Sequence, residues 1–242
     1  MSQVEKADPA RTAPVGGAGG RDAVPEWFRS FASLPTTVSA EELSRFAPPE
    51  DGTHRASAVL ILLGETARGP DVLLTERAAT LRSHAGQVSF PGGALDPEDA
   101  GPEEAALREA AEETGLDPGG VHVCGRLPEL YLPVSNFVVT PVLAWWRNPS
   151  PVFAVDPGEV AQVARVPLAE LADPDHRFQV RHPSGFVGPG FRAAGLFVWG
   201  FTAGLLSRLL GLAGWERPWD TSRVEVLTEA HLDGRRAPPV MP

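Results

Sequence analysis

The chain of 242 residues holds one cysteine, Cys124, and one lysine, Lys6. A lone cysteine excludes an intrachain disulfide framework, a CxxC redox pair and any zinc site built on several cysteines. A lone lysine in a Gly- and Pro-rich arm leaves no P-loop lysine and no buried Schiff-base lysine. Basic charge is also short, with 21 Lys and Arg against 31 Asp and Glu and a formal net charge of −10. That balance disfavours broad nucleic-acid binding, which needs a basic face. Arginine must therefore supply whatever positive charge the function requires.

Long apolar runs are missing too. Ala193 to Ser207 is 15 residues without a charge, short of the roughly 18 that a bilayer span needs. It is expected as a helix packed on a sheet, with a homodimer contact as its other reading. No apolar segment follows the start, and Glu5 and Asp8 suit an organelle transit peptide poorly. The expected compartment is the cytoplasm, with neither membrane nor nucleic acid as a partner. No GxGxxG follows the first apolar run, which disfavours a Rossmann dinucleotide site.

What is present has an order. Residues 1–24, rich in Ala, Gly and Pro, are expected to be a disordered arm. Residues 25–51 form a short helical lead-in, where Ser39 and Glu42 have capping-box spacing. Ala56–Leu63 and Asp71–Thr75 are expected as strands of a hairpin around Gly69-Pro70, and Gln87–Phe90 as a third strand. A helix follows, opened by Gly101-Pro102 and closed by Gly115. Val121–Cys124, Phe137–Trp146, Val160–Val166 and, more weakly, Phe178–Arg181 are further strands, and Pro167–Leu171 is a helical turn. Residues 213–242 are expected as a loosely ordered tail. Strands mixed with substantial helices predict an α/β sandwich.

The helix at 102–114 is unusually acidic at the wrong end. Glu109, Glu112 and Glu113 stand at i, i+3 and i+4, so they share a face. Like charges at that spacing repel, and carboxylates in a last turn meet the negative end of the helix dipole at a cost of about 0.3–1 kcal/mol each. A divalent cation reverses the sign of each of these terms, and hard oxygen donors on a rigid helix suit Mg²⁺ or Mn²⁺. A solvated acidic face is the other reading of the same three residues.

The flanking residues favour the metal. Phe90-Pro91-Gly92-Gly93 precedes the helix, and Arg108-Glu109-Ala110-Ala111-Glu112-Glu113-Thr114-Gly115-Leu116 runs through its end. Together they resemble the Nudix box, a glycine and an upstream acid followed by R-E-apolar-x-E-E-x-G-apolar. Asp99 stands where the general pattern has Glu, and eight residues separate it from Arg108, one more than usual. The extra residue precedes the glutamates and leaves their spacing intact. The resemblance gives Asp99 and Arg108 a structural role, pairing loop to helix.

A second motif lies upstream. Leu73-Leu74-Thr75-Glu76-Arg77-Ala78, then Arg82, Gly86 and Phe90-Pro91-Gly92-Gly93, is similar to the signature LLTxR-[S/A]-x3-R-x3-G-x3-FPGG of the coenzyme A diphosphatases, a Nudix subgroup. The likeness spans roughly residues 52–212. It implies a Nudix α/β/α sandwich with a mixed sheet and metal-dependent hydrolysis of the diphosphate of coenzyme A or its thioesters. The products would be adenosine 3′,5′-bisphosphate and 4′-phosphopantetheine or its acyl form. Other nucleoside diphosphate derivatives, such as ADP-ribose or a nucleotide sugar, are the alternative substrates. A Nudix domain that binds without catalysis is the alternative of a different class. Glu109, Glu112 and Glu113 become candidate metal ligands and catalytic residues. Arg77, Arg82, Phe90, Gly92 and Gly93 become candidate substrate contacts. Arginine suits phosphate because its planar fork makes paired hydrogen bonds. Glu159, after Asp156-Pro157-Gly158, is a candidate extra ligand or general base, or a solvated turn residue. His84 reads as a loop residue and Cys124 as a small core residue.

Overall fold

The computed structural model describes residues 24–44, 46, 52–81, 83–133 and 135–232. All but one residue of the expected N-terminal arm, residues 233–242 of the tail, and Arg82 lie outside the described residues. After a 3₁₀ turn at Glu26–Phe28 come two short helices, α1 (Arg29–Thr37) and α2 (Ala40–Leu43). The Glu42 carboxylate accepts the Ser39 backbone N–H at 2.8 Å, as the capping spacing predicts. Phe28, Phe31, Leu34 and Leu43 are buried in the larger core, so the lead-in is an integral part of it.

The apolar run from Ala56 extends into β1 (Arg55–Thr66), which turns into β2 (Gly69–Arg77) as an antiparallel hairpin. Short strands β3 (Val88–Ser89) and β4 (Gly92–Ala94) pair with β2 and β1 respectively. Helix α3 (Pro102–Thr114) begins with proline in its first turn and ends at Gly115 in the left-handed conformation. Then follow β5 (Val121–Arg126), β6 (Leu130–Leu132), β7 (Phe137–Trp146), β8 (Val160–Pro167) and the turn of helix α4 (Leu168–Ala172). Strand β7 runs parallel to β1, while β2 is antiparallel to it, so the sheet is mixed.

Strand periodicity sorts the side chains of β1 onto two faces. Ala58, Leu60 and Leu62 pack against Ala105, Ala106 and Ala110 of α3, whose small side chains let the helix lie close to the sheet. Ile61 and Leu63 face the other core, with the aromatic residues of the lead-in. A second sheet follows from β9 (Arg177–Arg181), β10 (Val187–Ala193) and β11 (Leu196–Val198). Helix α5 (Gly200–Leu212) packs into the larger core, and β12 (Val224–Val226) joins the second sheet parallel to β9. Helix α6 (Glu229–Leu232) ends the described chain. No helix among the described residues is long and apolar enough to cross a membrane.

Two expectations are corrected. The uncharged run 193–207 is not one helix: it turns at Ala194-Gly195, forms β11, and becomes helical at Gly200. Nor are residues 213–232 loosely ordered, because β12 pairs with β9 and Leu227 is buried. Glu216 also lies 2.9 Å from the buried Arg177 guanidinium, on which Trp219 stacks.

One ion pair in the sheet carries a stability prediction. Asp71 of β2 is buried, and Arg165 of β8 donates to its Oδ1 from Nε and Nη2 at 3.1 and 3.0 Å while stacking on Trp146. Burial pushes the Asp71 carboxyl up, opposed by Arg165. Arg165→Met is expected to cost about 2 kcal/mol in urea unfolding at pH 7, since a buried carboxylate loses its counter-charge. Asp71 protonates more readily as pH falls, so the loss should shrink at pH 5. A loss independent of pH would count against the assignment.

Candidate active site

The site is built where α3 crosses the β1–β4 edge of the mixed sheet. Glu113, in the last turn of α3, is buried, and its Oε2 accepts the Gly92 backbone N–H at 3.2 Å. Burial chiefly pushes its carboxyl up to about 7. The Gly92 N–H and the Arg77 charge oppose that rise, whereas Glu109 and Glu159 add to it. Arg77, Glu109 and Glu159 thus each lie close enough to act on the charge of Glu113.

Glu109 lies over Gly93. A Cβ on Gly93 would stand 2.4 Å from the Glu109 carboxyl carbon, so only glycine leaves room for this side chain. Burial raises the Glu109 carboxyl, with Arg108 opposing. Gly92 is as constrained: its φ is +156°, and a Cβ there would lie 2.3 Å from the Ala58 carbonyl oxygen. Both glycines thus position carboxylates, a part their expectation as substrate contacts did not include.

Arg108 is the hub of the outer face. It donates to both Asp99 oxygens, from Nε to Oδ1 and from Nη2 to Oδ2, each at 3.0 Å. Asp99 is nearly inaccessible there, and those hydrogen bonds hold its carboxyl below the usual range. The Arg108 Nη1 also reaches Glu109 at 3.1 Å and Glu112 at 3.2 Å. The pair therefore ties the loop before α3 to the helix.

The expected convergence of three glutamates is corrected in part. Glu112 is exposed and turned towards Arg108, away from buried Glu113. The helical spacing that aligns it with Arg108 at i,i+4 offers a countercharge, whereas approach to Glu109 and Glu113 adds repulsion. Among the described residues no three His, Cys, Asp or Glu side chains stand grouped to hold a metal ion. The donor chemistry nevertheless fits a hard divalent cation. Glu109 and Glu113, both held up by burial, also repel one another, a strain that a divalent cation would relieve.

Arg77 ends β2 at a register shift between Glu76 and Arg77, opposite the start of β8. It is half-buried, and its Nε has no hydrogen-bond partner among the described residues. Phe90 is corrected as a substrate contact: its ring is buried in the larger core. His84 is exposed, with φ 55° and its Nδ1 2.9 Å from the Gln87 side chain. Cys124 is half-buried in β5, and burial pushes its thiol up to about 11.

In the segment 147–159 connecting β7 to β8, motif reading named Glu159 but missed how the chain before it packs on the end of α3. The Phe153 N–H donates to the Thr114 carbonyl at 3.0 Å and the Val155 N–H to the Glu113 carbonyl at 3.2 Å. These bonds satisfy last-turn carbonyls of α3 and blunt the dipole end that opposes Glu112 and Glu113. The Ala78 N–H then donates to the Glu159 carbonyl at 2.8 Å, fixing Glu159 beside Arg77. The uninterrupted apolar stretch Val152-Phe153-Ala154-Val155 was the available signal.

A family model described as the NUDIX domain matches residues 52–184. The "Uncharacterized Nudix hydrolase NudL" of Citrobacter koseri is 39% identical over 191 residues, covering 76% of this chain and 91% of that protein. Its namesake from Cronobacter sakazakii is 43% identical over 172 residues, covering 68% and 85%. Among solved structures, the M. smegmatis Nudix hydrolase RenU aligns with a TM-score of 0.49 at 22% identity, covering 72% of this chain and 96% of that one. The protein is an enzyme, a hydrolase of phosphorus-containing acid anhydrides. The chain belongs to the Nudix hydrolase family, whose members generally use divalent metal ions.

Proposed function

We propose that the chain hydrolyses the diphosphate bond of coenzyme A or its thioesters, releasing adenosine 3′,5′-bisphosphate and 4′-phosphopantetheine or its acyl form. The observation that carries this reading is the pair of motifs meeting at one place. Arg77, from the arginine-bearing motif of β2, lies within electrostatic reach of Glu113 from the acidic motif of α3. A ligand with a diphosphate and a further phosphate needs such local positive charge in a chain of net charge −10.

Glu109, Glu112 and Glu113 would hold Mg²⁺ or Mn²⁺. Such a cation, when bound, would neutralise diphosphate charge and lower the pKa of water. Arg77 binds and orients a phosphate oxygen, with Arg82 as its proposed companion. Gly92 and Gly93 keep the carboxylates at their places. Glu159 accepts a proton as water attacks phosphorus; the P–O bond of the anhydride breaks, and the bridging oxygen leaves on one phosphate. Asp99 and Arg108 hold the loop against α3.

The test is turnover of coenzyme A with Mg²⁺ and with Mn²⁺, with both products identified by mass. Adenosine 3′,5′-bisphosphate and 4′-phosphopantetheine in equal amounts are expected. Efficient cleavage of ADP-ribose or a nucleotide sugar with coenzyme A untouched would overturn the substrate. Binding of coenzyme A with no turnover of any member of the panel would favour a non-catalytic domain.

A further inference from the structure

Segment 147–159 delivers Glu159 to the site through one turn, which one side chain and two backbone bonds build. Asp156 Oδ1 accepts the Gly158 N–H at 2.8 Å. The Asp156 carbonyl accepts the Glu159 N–H at 3.0 Å and the Val160 N–H at 2.9 Å. Upstream, the Val155 N–H is fixed to the carbonyl of Glu113. Downstream, the Glu159 carbonyl is fixed by the Ala78 N–H, next to Arg77. The backbone is thus anchored on α3 at one side of Asp156 and on β2 at the other. Only the residues between those anchors set how far the Glu159 carboxylate projects. Asp156 and Glu159 are both exposed, so no packing against the core holds the turn in shape. Its geometry rests on those local bonds, of which the Asp156 side chain supplies the one to Gly158; a side-chain acceptor two residues before an N–H closes such a turn without help from tertiary contacts.

We propose that Asp156 is a positioning residue for Glu159, acting through the hydrogen bond to the Gly158 N–H and not through its charge. The inference rests on the reading of Glu159 as the proton acceptor. Reach matters steeply here, because a displacement of about 1 Å in a reacting group costs up to about 10²-fold in rate. Among the described residues Asp156 makes no hydrogen bond to a side chain of the site, so its effect passes through the backbone of the turn.

Four variants test it with the diphosphate substrate on which the wild-type protein turns over. Asp156→Ala should lower kcat about tenfold, with KM within twofold of wild type. Asp156→Asn, which keeps the acceptor oxygen and loses the charge, should restore kcat to within twofold. Glu159→Gln should lower kcat about 10²-fold or more. Asp156→Ala should then have no further effect in the Glu159→Gln background. Three outcomes overturn the inference while leaving Glu159 in place: wild-type kcat in Asp156→Ala, failure of Asn to restore it, or the same tenfold loss in both backgrounds. Should Asp156→Ala fold poorly, the Asn variant still decides between hydrogen bond and charge. Wild-type kcat in Glu159→Gln would instead overturn the reading of Glu159, and the inference with it.

Discussion

Glu113→Gln is expected to lower turnover by at least about 10³-fold, roughly 4 kcal/mol of barrier, while the fold remains intact. The substitution keeps the shape and an oxygen that accepts the Gly92 N–H, and removes only the charge. The same variant should change how stability depends on pH. In the fold the Glu113 carboxyl ionises at about 7, against an ordinary 4.5. The folded chain therefore holds this proton where the unfolded chain has released it. The stabilisation is complete below about pH 4.5 and is lost as pH rises through about 7. Partial solvent access leaves an effect on the order of 2 kcal/mol. Melting of the wild-type protein in chelator should fall from pH 5 to pH 8, and Glu113→Gln should flatten that fall. Mg²⁺ at pH 8 should raise the wild-type Tm and leave the variant's unchanged. A variant within tenfold of wild-type turnover would remove Glu113 from the ligand set.

Gly93→Ala carries the second large effect. Its methyl group would meet the Glu109 carboxyl carbon at 2.4 Å. Ordinary contact is more than an ångström longer, so the flexible glutamate must swing off its place. The expected result is a loss of about 10²-fold in kcat with a near-native Tm, because a moved side chain relieves the clash. Gly92→Ala should behave differently, since its methyl would meet the Ala58 backbone. There the β1–β4 pairing must give way, and Tm should fall along with activity. Equal melting losses in the two variants would show that Gly93 shapes the backbone and not Glu109.

The difference between legible and illegible parts has a physical basis. The strand Phe137–Trp146 was readable to the residue because it is apolar but for Thr140, as a strand buried on both faces is. Helix α3 announced itself by its terminal Pro and Gly. The second sheet hid its pattern. Strand β10 reads Val-Gly-Pro-Gly-Phe-Arg-Ala, and its Gly190 is glycine because a Cβ would run into Val180 and Phe178 of β9. Strand β12 is only three residues, two of them exposed valines. Neither presents the alternation by which a strand is recognised. In the site, spacing located the three glutamates on one helix. It did not foresee that Arg108 would hold Glu112, because that choice depends on rotamers and on local charge. Phe90 was misassigned for a related reason: a motif position does not say whether its ring faces the site or the core.

The early helices and the late residues meet in one core, and this bears on how the chain is made. The Phe31 ring of α1 lies 6.3 Å from the Trp215 ring beyond α5, so almost the entire described chain separates two partners in one cluster. Contacts so distant along the chain close late in folding, after the entropy of a long loop has been surrendered. During synthesis the lead-in aromatics can meet Ile61 and Leu63 of β1 early, but the part of their cover that α5 and Trp215 supply comes only when those residues leave the ribosome. A nascent chain stalled before residue 200 would present Phe28, Phe31 and Leu34 only partly covered, a hold for chaperones.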